Sequence, residues 1–425
     1  MEEATGYRTI GGHEFPWSED TSLLGSPVSI PGSRITLKNR IVAQPLEGCD
    51  ATPDGAPHEL TRYRYRRFLE GGAGLIWVES TAAQEEGRGN PHSLWIHEAN
   101  LDSWKRFIDE LKTDYPDAAI IIQLTHSGRF SAPQGKPAPI IAQFNPHYNG
   151  RVPLPEDYPV ASDDYLDRTR EAFVHAAELC HEAGADGVDV KGCHGYLFND
   201  LLSAHTREGR YGGSFENRAR LLLETTEAVK AHEGSDFIVA SRICHADTIP
   251  YPYGFGMASD GSFTYDHSET LELVRELEKR GVSLLNISVG RPTVNVDYWN
   301  HPAEEAPTDT NEDLFARYYE GAALLAHAFP QMLITGSGYT LLKDQAPQVA
   351  AGAIASGNVG LVGFGRQALA YPGYADAAIA GEIDGKRACN ICGHCYTLLR
   401  AFAPTGCPTR DRDHYLGYLR EVLAK

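Results

Sequence analysis

The sequence predicts a (β/α)8 TIM barrel, a closed ring of eight parallel strands surrounded by helices, with extended loops. Between residues 41 and 365, eight short and continuously apolar segments alternate with segments of helical length. Such strands are typical of parallel sheets that are buried on both faces. Eight strand–helix units in about 350 residues match this barrel with inserted loops. A doubly wound open sheet is the main alternative, because periodicity alone does not close a barrel.

The expected elements follow one another in a regular order. The eight strands are Ile41–Gln44, Gly74–Ser80, Ala118–Leu124, Gly187–Lys191, Phe237–Arg242, Ser283–Ser288, Met332–Gly336 and Val359–Gly365. The helices between them are Arg62–Glu70, Leu101–Asp114, Asp163–Glu182, Glu216–His232, Ser268–Arg280, Glu312–Phe329 and Leu341–Ser356. The first helix ends at Gly71-Gly72, since glycine is a common C-terminal stop.

The chain divides into three expected segments. Residues 1–33 are rich in Gly, Pro and Ser and are expected to be irregular, 34–385 form the barrel, and 386–425 are a cysteine-rich segment packed on it. Long loops are expected at Gly128–Tyr165, Ala246–His267 and Gly290–Thr310. Loops of this length in a compact domain often serve as functional lids, and surface elaboration is the other interpretation.

Composition and charge exclude several classes of protein. The 425 residues are 42% hydrophobic and 22% charged, which is typical of a globular chain. The formal net charge of -19 argues against a nucleic-acid partner, and an anionic ligand such as a phosphate would need a local basic patch. No apolar run approaches the roughly 20 residues of a membrane-spanning helix. The acidic N-terminus lacks a signal-peptide pattern. We therefore expect a cytoplasmic protein without a membrane partner; the sequence leaves a homo-oligomer open.

The stretch from Gly187 to Arg220 carries the most specific pattern. A short strand is followed by Lys191, His194 and Tyr196, and parallel barrels place their chemistry at such strand ends. The runs HGYL (His194–Leu197) and RYGGSFENRAR (Arg210–Arg220) come next. Together these motifs resemble the old yellow enzyme family of flavin-dependent oxidoreductases, nearest the branch of 2,4-dienoyl-CoA reductase and trimethylamine dehydrogenase. The resemblance extends from about residue 34 to 407.

This resemblance implies a bound FMN and assigns residues to it. Gln123 and Arg242, at the ends of the third and fifth strands, would face the pyrimidine edge, where an amide both donates and accepts and a cation favours the reduced flavin. A salt bridge at the rim is the alternative for Arg242. Pro45 and Leu46 would flank the ring. The phosphate would lie above the last two strands, where glycine-rich turns present N–H groups, at Gly336, Ser337, Gly338, Gly365 and Arg366.

Two positions depart from the family pattern. Glu47 stands near flavin N5, where relatives commonly carry Thr or Cys, so its carboxylate would alter the flavin potential unless it turns away. Lys191 and His194 replace the usual His-x-x-His or His-x-x-Asn pair that donates to a substrate carbonyl. A lysine still donates and adds a charge that stabilises an enolate, although a structural ion pair is the alternative.

The resemblance predicts reduction of an activated C=C bond in an α,β-unsaturated carbonyl or enoyl compound. Flavin N5 would deliver hydride to the β-carbon while Lys191 and His194 polarise the carbonyl. Tyr196 or a water would protonate the α-carbon, and the alternative for Tyr196 is a packing residue of the core. The alternatives are an oxidative amine dehydrogenase or demethylase, a flavin/iron–sulfur electron-transfer protein and, more distantly, an aldolase with Lys191 as its Schiff base.

Four bunched cysteines form a separate motif. Cys389, Cys392, Cys395 and Cys407 follow the spacing C-x2-C-x2-C-x11-C. This spacing matches ferredoxin-type ligation better than a zinc ribbon, and the resemblance implies a [4Fe-4S] cluster; zinc and free thiols are the alternatives. The large relatives continue into FAD- and NAD(P)-binding domains, whereas no G-x-G-x-x-G follows a strand here. Electrons are therefore expected from NAD(P)H or from an electron-donor protein.

Overall fold

The computed structural model describes residues 6–150, 152–234, 236–291 and 310–424. Its N-terminal residues form antiparallel pairs: β1 (Gly6–Ile10) with β2 (His13–Trp17), and β3 (Val28–Ser29) with β4 (Thr36–Leu37). The sequence predicted irregular structure here. The first hairpin forms because Gly11 and Gly12 adopt φ values of 58° and 89°, which a tight turn between twisted strands requires. Of the predicted loop Gly290–Thr310, residues 292–309 lie outside the described ranges.

Within the described ranges, eight parallel strands close into a barrel, in which each strand pairs with the next and the last returns to the first. The strands are β5 (Ile41–Ala43), β6 (Leu75–Ala82), β7 (Ala119–Thr125), β8 (Gly187–Val190), β9 (Ile238–Cys244), β10 (Leu284–Ser288), β11 (Leu333–Gly336) and β12 (Leu361–Phe364). Closure occurs where Val362 lies opposite Ile41. The predicted barrel is confirmed, and the open sheet is excluded because its edge strands would be unpaired.

Helices connect and surround the strands, several of them with the predicted ends. They are α1 (Glu59–Glu70), α2 (Leu101–Asp114), α3 (Asp163–Glu182), α4 (Leu197–Leu202), α5 (Phe215–Glu233), α6 (Ser268–Lys279), α7 (Asn311–Ala328), α8 (Ala346–Ala355), α9 (Arg366–Ala370), α10 (Tyr374–Ala380), α11 (His394–Arg400) and α12 (Arg412–Leu423). The predicted helix Leu341–Ser356 was too long. Lys343 has a φ of 53°, so a 3-10 helix at Tyr339–Gln345 precedes α8.

The apolar core has two layers, which explains the continuous apolar runs in the sequence. Successive residues of a strand face opposite sides, so Leu75 and Trp77 pack with the interior layer and Ile76 and Val78 with the layer beneath the helices. Leu37 of β4 joins the interior layer and covers the end where the barrel strands begin. The opposite end is left to polar side chains.

The C-terminal segment lies against α1. Asp411 accepts hydrogen bonds from Tyr63 at 3.1 Å and from His414 at 2.8 Å, and it contacts Arg67 closely. The ring of Tyr63 stacks on His414 with centroids 4.0 Å apart. A carboxylate thus ties α12 to the barrel helices. Among the helices of the described ranges, none has the length and apolar character required to cross a membrane.

Candidate active site

A cavity of about 350 Å³ opens at the carboxyl ends of the barrel strands. It brings together residues that are far apart in the sequence. Twelve of the thirteen barrel residues predicted for the site line it, namely Pro45, Leu46, Glu47, Gln123, Lys191, His194, Tyr196, Arg242, Ser337, Gly338, Gly365 and Arg366. Gly336 is not among the described lining residues. A Cβ there would lie 3.0 Å from Val359, so close packing accounts for this glycine.

A buried hydrogen-bond network holds Gln123. Its Nε2 donates to Asp189 at 2.6 Å, and its Oε1 accepts from the Ser80 hydroxyl at 3.1 Å. Asp189 also accepts from the backbone N–H of Arg242 and from the indole of Trp77. Burial raises the pKa of Asp189, and its hydrogen bonds oppose that rise. Asp189 therefore orients two site residues, and the sequence analysis did not single it out although a charged residue in an apolar strand is a usable signal.

Several arginine side chains of the described residues have a buried nitrogen without a hydrogen-bond partner. At the cavity these are Nε of Arg242 and Nη1 of Arg366. Buried polar groups are normally hydrogen-bonded, since leaving one unpaired costs free energy. Both residues line the cavity. A ligand with hydrogen-bond acceptors near both groups would satisfy them, and a flavin mononucleotide has its pyrimidine oxygens and its phosphate for these two places.

The Tyr196 side chain contacts two opposite charges. It donates to Glu47 at 2.7 Å, and the Lys191 ammonium lies 3.7 Å from the centroid of its ring. Burial, followed by the Glu47 carboxylate, raises the pKa of Tyr196 well above its ordinary value. Burial lowers the pKa of Lys191, which also donates to Ser80 at 2.6 Å. Tyr196 therefore keeps its proton at neutral pH, and the lysine would stabilise the phenolate once that proton leaves.

His194 is held in an unusual backbone conformation. Its φ is 66°, in the left-handed region that a non-glycine residue rarely adopts and that often marks a functional site. Its Nε2 lies 2.8 Å from the Ser288 hydroxyl. Burial and the nearby cations Arg242 and Lys191 hold the pKa of His194 well below its usual range. The imidazole is therefore neutral, and it can donate one hydrogen bond without adding charge.

A buried ion triad that the sequence analysis missed supports the Glu47 loop. Arg64 of α1 contacts Asp50 and Glu79 closely, and Glu79 accepts from the backbone N–H of Gly48. Burial raises the pKa of Glu79 to about 7, and the Arg64 charge opposes this rise. The carbonyl of Gly48 accepts from Thr405 at 2.7 Å. The triad therefore links the site loop to the C-terminal segment.

The C-terminal segment also forms part of the cavity wall, which the sequence did not predict. Its lining residues are Cys395, Tyr396, Leu399, Arg400, Phe402 and Thr405. Sequence periodicity identifies local elements. It does not predict this wall, because the wall residues lie more than 150 positions from His194 and Tyr196 in the sequence and meet them only in the folded chain.

The four bunched cysteines face a small cavity that adjoins the active-site cavity and shares Arg366, Leu369 and Cys395 with it. Cys389, Cys392, Cys395 and Cys407 line it together with Arg366 and Arg410, and all four thiols are free. Burial raises the pKa of Cys395 to about 12, and Arg366 opposes that rise. Among the described residues, no group of three or more His, Cys, Asp or Glu side chains is close enough to hold a metal ion. The predicted ligands thus share one cavity without forming a closed mononuclear site.

The fold and the cavity define a flavin-dependent oxidoreductase: a parallel barrel whose strand ends present an amide, two unpaired guanidinium groups and a protonated phenol in one cavity. The chain belongs to the NADH:flavin oxidoreductase / NADH oxidase family, whose profile matches residues 24–382. It is therefore an oxidoreductase of the FMN-dependent type.

Known relatives agree with this membership. The chain is 32% identical to an NADPH dehydrogenase of Geobacillus sp. (strain WCH70) over 275 residues, which is 63% of this chain and 73% of that protein. It is 27% identical to 12-oxophytodienoate reductase 7 of Oryza sativa subsp. japonica over 371 residues, 82% of this chain and 86% of the relative.

Among solved structures, a 2-naphthoyl-CoA reductase–2-naphthoyl-CoA complex is similar, with a TM-score of 0.75 and 21% identity. The alignment covers 95% of this chain and 58% of that one, so the chain spans less than two thirds of the length of this neighbour. At this identity the likeness concerns the fold.

Proposed function

We propose that this protein is an ene reductase that reduces the C=C bond of an α,β-unsaturated carbonyl compound. One observation carries the proposal: the protonated Tyr196 shares a cavity with His194 and Lys191 and with the unpaired nitrogens of Arg242 and Arg366. The first three residues supply hydrogen-bond and proton donors, and the last two suit the cofactor. Bound FMN would supply the hydride after taking it from NAD(P)H.

The residues of the chain then have distinct roles. Lys191 and His194 donate hydrogen bonds to the substrate carbonyl oxygen and stabilise the negative charge that develops there. Tyr196 transfers its proton to the α-carbon, and hydride adds at the β-carbon. The net change is one C=C bond reduced and one NAD(P)H oxidised. Glu47 accepts the hydrogen bond that orients the phenol.

The cofactor would be held by side chains at several strand ends. Gln123 and Arg242 suit the pyrimidine edge, and Pro45 and Leu46 flank the ring. The phosphate site would use N–H groups and a cation at Ser337, Gly338, Gly365 and Arg366. Gly336 would support this turn through its packing against Val359.

We also propose that Cys389, Cys392, Cys395 and Cys407 hold a [4Fe-4S] cluster. Zinc would require four thiolates about 2.3 Å from a single point, whereas a four-iron cluster is larger and spaces its thiolates further apart. The C-x2-C-x2-C-x11-C spacing favours the second arrangement, and the four free thiols lie around one small cavity. A cluster there would also allow an electron-donor protein to reduce the enzyme.

Two alternative functions concern the same cavity. Glu47 would favour a cationic amine substrate, as an amine dehydrogenase requires. Against this, the described lining contains one carboxylate and five cationic residues, Arg129, Lys191, Arg242, Arg366 and Arg400. A pure electron-transfer protein would have no need for a proton donor in the cavity.

Anaerobic turnover separates these functions. The purified holoprotein would be mixed with NADPH or NADH and 2-cyclohexenone, and separately with trimethylamine and an artificial electron acceptor. We expect enone-dependent oxidation of the nicotinamide and formation of cyclohexanone. Oxidation of the amine with no enone reduction would contradict the proposal, and activity with neither substrate would favour electron transfer.

Metal analysis tests the cluster. Protein purified without oxygen is expected to contain about four irons and equivalent acid-labile sulfide per chain. One zinc per chain with no sulfide would contradict the cluster and indicate a zinc site instead. Cys395→Ser should remove iron, and Cys180→Ser, a buried cysteine elsewhere in the chain, should leave the iron content unchanged.

A further inference from the structure

The C-terminal segment, residues 386–425, has a charge opposite to that of the rest of the chain. It contains seven Lys and Arg residues and three Asp and Glu residues, whereas the other 385 residues contain 31 and 54. A basic segment on an acidic protein creates a local positive potential. Of these cations, Arg400 lines the active-site cavity and Arg410 lines the cysteine cavity.

Two wall residues present exposed side chains at the cavity. Arg400, at the end of α11, is exposed, and its side chain makes no hydrogen bond or ion pair with the described residues. Phe402 is 36% exposed. Its φ of 54° belongs to the turn that ends α11, in which its N–H donates to the Leu399 carbonyl and the Ala403 N–H to the Leu398 carbonyl. Both side chains line the cavity.

Hydrogen bonds fix this part of the cavity wall to the barrel. Thr405 donates its N–H to the carbonyl of Gly48 at 2.7 Å, and its own carbonyl accepts from Arg64 at 3.5 Å. Arg64 is fixed by the buried carboxylates Asp50 and Glu79. The same triad holds the Glu47 loop, so Arg400 and Phe402 keep a defined position relative to the reacting groups.

The other cations of the cavity are already engaged. Arg129 donates to the Asn145 and Val152 carbonyls and to the Asn149 side chain, and Lys191 donates to Ser80. Arg242 and Arg366 are assigned to the cofactor in the proposal above. Lys191 is also assigned to the substrate carbonyl in the proposal above. Arg400 is therefore the described lining cation that is left for a second, charged group of the substrate.

We propose that the substrate carries an anionic group, a carboxylate or a phosphate, at the end opposite its reactive double bond. Arg400 binds this group, and an apolar part of the substrate packs against Phe402 and Leu399. Charge-assisted hydrogen bonds are the stronger kind, so this contact sets specificity. The inference rests on the proposed ene reduction and adds a substrate class to it.

Matched substrates test this inference. 4-(4-Carboxyphenyl)but-3-en-2-one has an enone at one end and a carboxylate at the other, its methyl ester lacks the charge, and the phosphonate analogue tests a phosphate-like group. We expect Arg400→Gln to raise KM for the charged substrates about tenfold, with kcat unchanged and KM for the ester changed less than about twofold. The better of the two anions identifies the group. Arg412→Gln, an exposed arginine of the same segment outside the lining, should leave all three unchanged.

A binding measurement separates this inference from the proposed reaction. The saturated ketones of the acid and the ester would be titrated into the holoprotein and followed by flavin absorbance, which requires no turnover. The wild type should bind the acid more tightly, and Arg400→Gln should lose that preference. Equal effects of the variant on acid and ester, or no effect on either, would overturn the inference even if cyclohexenone is reduced. Retained acid preference in the absence of all enone turnover would overturn the reaction and leave anion recognition standing.

Discussion

At the scale of single residues, Glu47 and Lys191, the two departures from the family pattern, both contact the side chain of Tyr196. Glu47 accepts the hydrogen bond of Tyr196, and Lys191 lies over its ring. The carboxylate disfavours loss of the phenolic proton, and the ammonium favours it. The two charges therefore oppose each other in their effect on the same proton, and the tyrosine stays a competent donor.

Replacing the phenol tests its role as proton donor. We expect Tyr196→Phe to lower kcat for enone reduction by about 10²- to 10⁴-fold, the usual range for a general acid. Reduction of the flavin by NAD(P)H should stay close to wild type, because that half-reaction uses no proton donor to carbon. Stopped-flow absorbance would follow both half-reactions separately.

A matched control is Tyr158→Phe, whose hydroxyl donates to the Pro139 carbonyl away from the cavity lining. It should leave both half-reactions unchanged. A Tyr196→Phe enzyme that reoxidises with the enone at the wild-type rate would show that water or another group supplies the proton.

Residues at strand ends could be predicted because strand order alone determines where a barrel gathers them. Gln123 and Arg242 are examples. Asp189 and Glu79 were not predicted, although each interrupts an apolar strand. Their roles depend on partners from other strands and from α1, and the pairing of such partners is a property of the folded chain.

At the scale of elements, the loop after β5 depends on α1 and β6. Gly48 donates to Glu79 of β6, which Arg64 of α1 contacts together with Asp50. The triad contains two carboxylates, Asp50 and Glu79, and a single guanidinium group, so its charges do not cancel. Burial is the main cause that raises the pKa of Glu79 to about 7, against an ordinary value of 4.5.

This shift predicts a pH-dependent stability. Between about pH 4.5 and 7 the folded chain holds a proton on Glu79 that the unfolded chain releases, so the free energy of unfolding falls as pH rises through this window. The full effect is on the order of 3 kcal/mol. Glu79→Gln keeps the shape without the titration, and its thermal unfolding midpoint should fall less than the wild-type midpoint between pH 5 and 8.

Glu85→Gln, an exposed residue, controls for loss of a surface charge. Its profile should follow the wild type. Parallel profiles for wild type and Glu79→Gln would mean that Glu79 titrates in the folded chain as it does in the unfolded one.

Element boundaries were predictable to different degrees. α2 and α3 have the predicted ends, because amphipathic periodicity and the Ser162 cap of α3 are local signals. α8 begins later than predicted because Lys343 leaves the helical region, and no local pattern indicates that break. The β1–β2 hairpin was missed because a Gly-rich segment was taken as irregular, although Gly11-Gly12 is itself a turn signal.

At the scale of the whole molecule, total charge and local charge make opposite predictions. The net charge of -19 should repel an anionic substrate, whereas the basic residues of segment 386–425 should attract it at the cavity. The distance of each charge from the cavity decides which of the two effects is larger. Exposed charges further away than the Debye length, about 8 Å at physiological salt, are largely screened. The local segment should therefore dominate at the entrance.

The dependence of kcat/KM on salt concentration distinguishes the effect of the basic segment from that of the net charge. If the segment dominates, kcat/KM for the carboxylate-bearing enone falls as NaCl rises from about 0.05 to 0.5 M, because screening weakens the attraction. If the net charge dominates, the same value rises, since screening removes repulsion. The methyl ester corrects for effects of salt on the protein itself, so the ratio of the two substrates is the quantity to measure. In Arg400→Gln this ratio should fall less steeply, and a ratio that rises with salt in the wild type would contradict attraction by the segment.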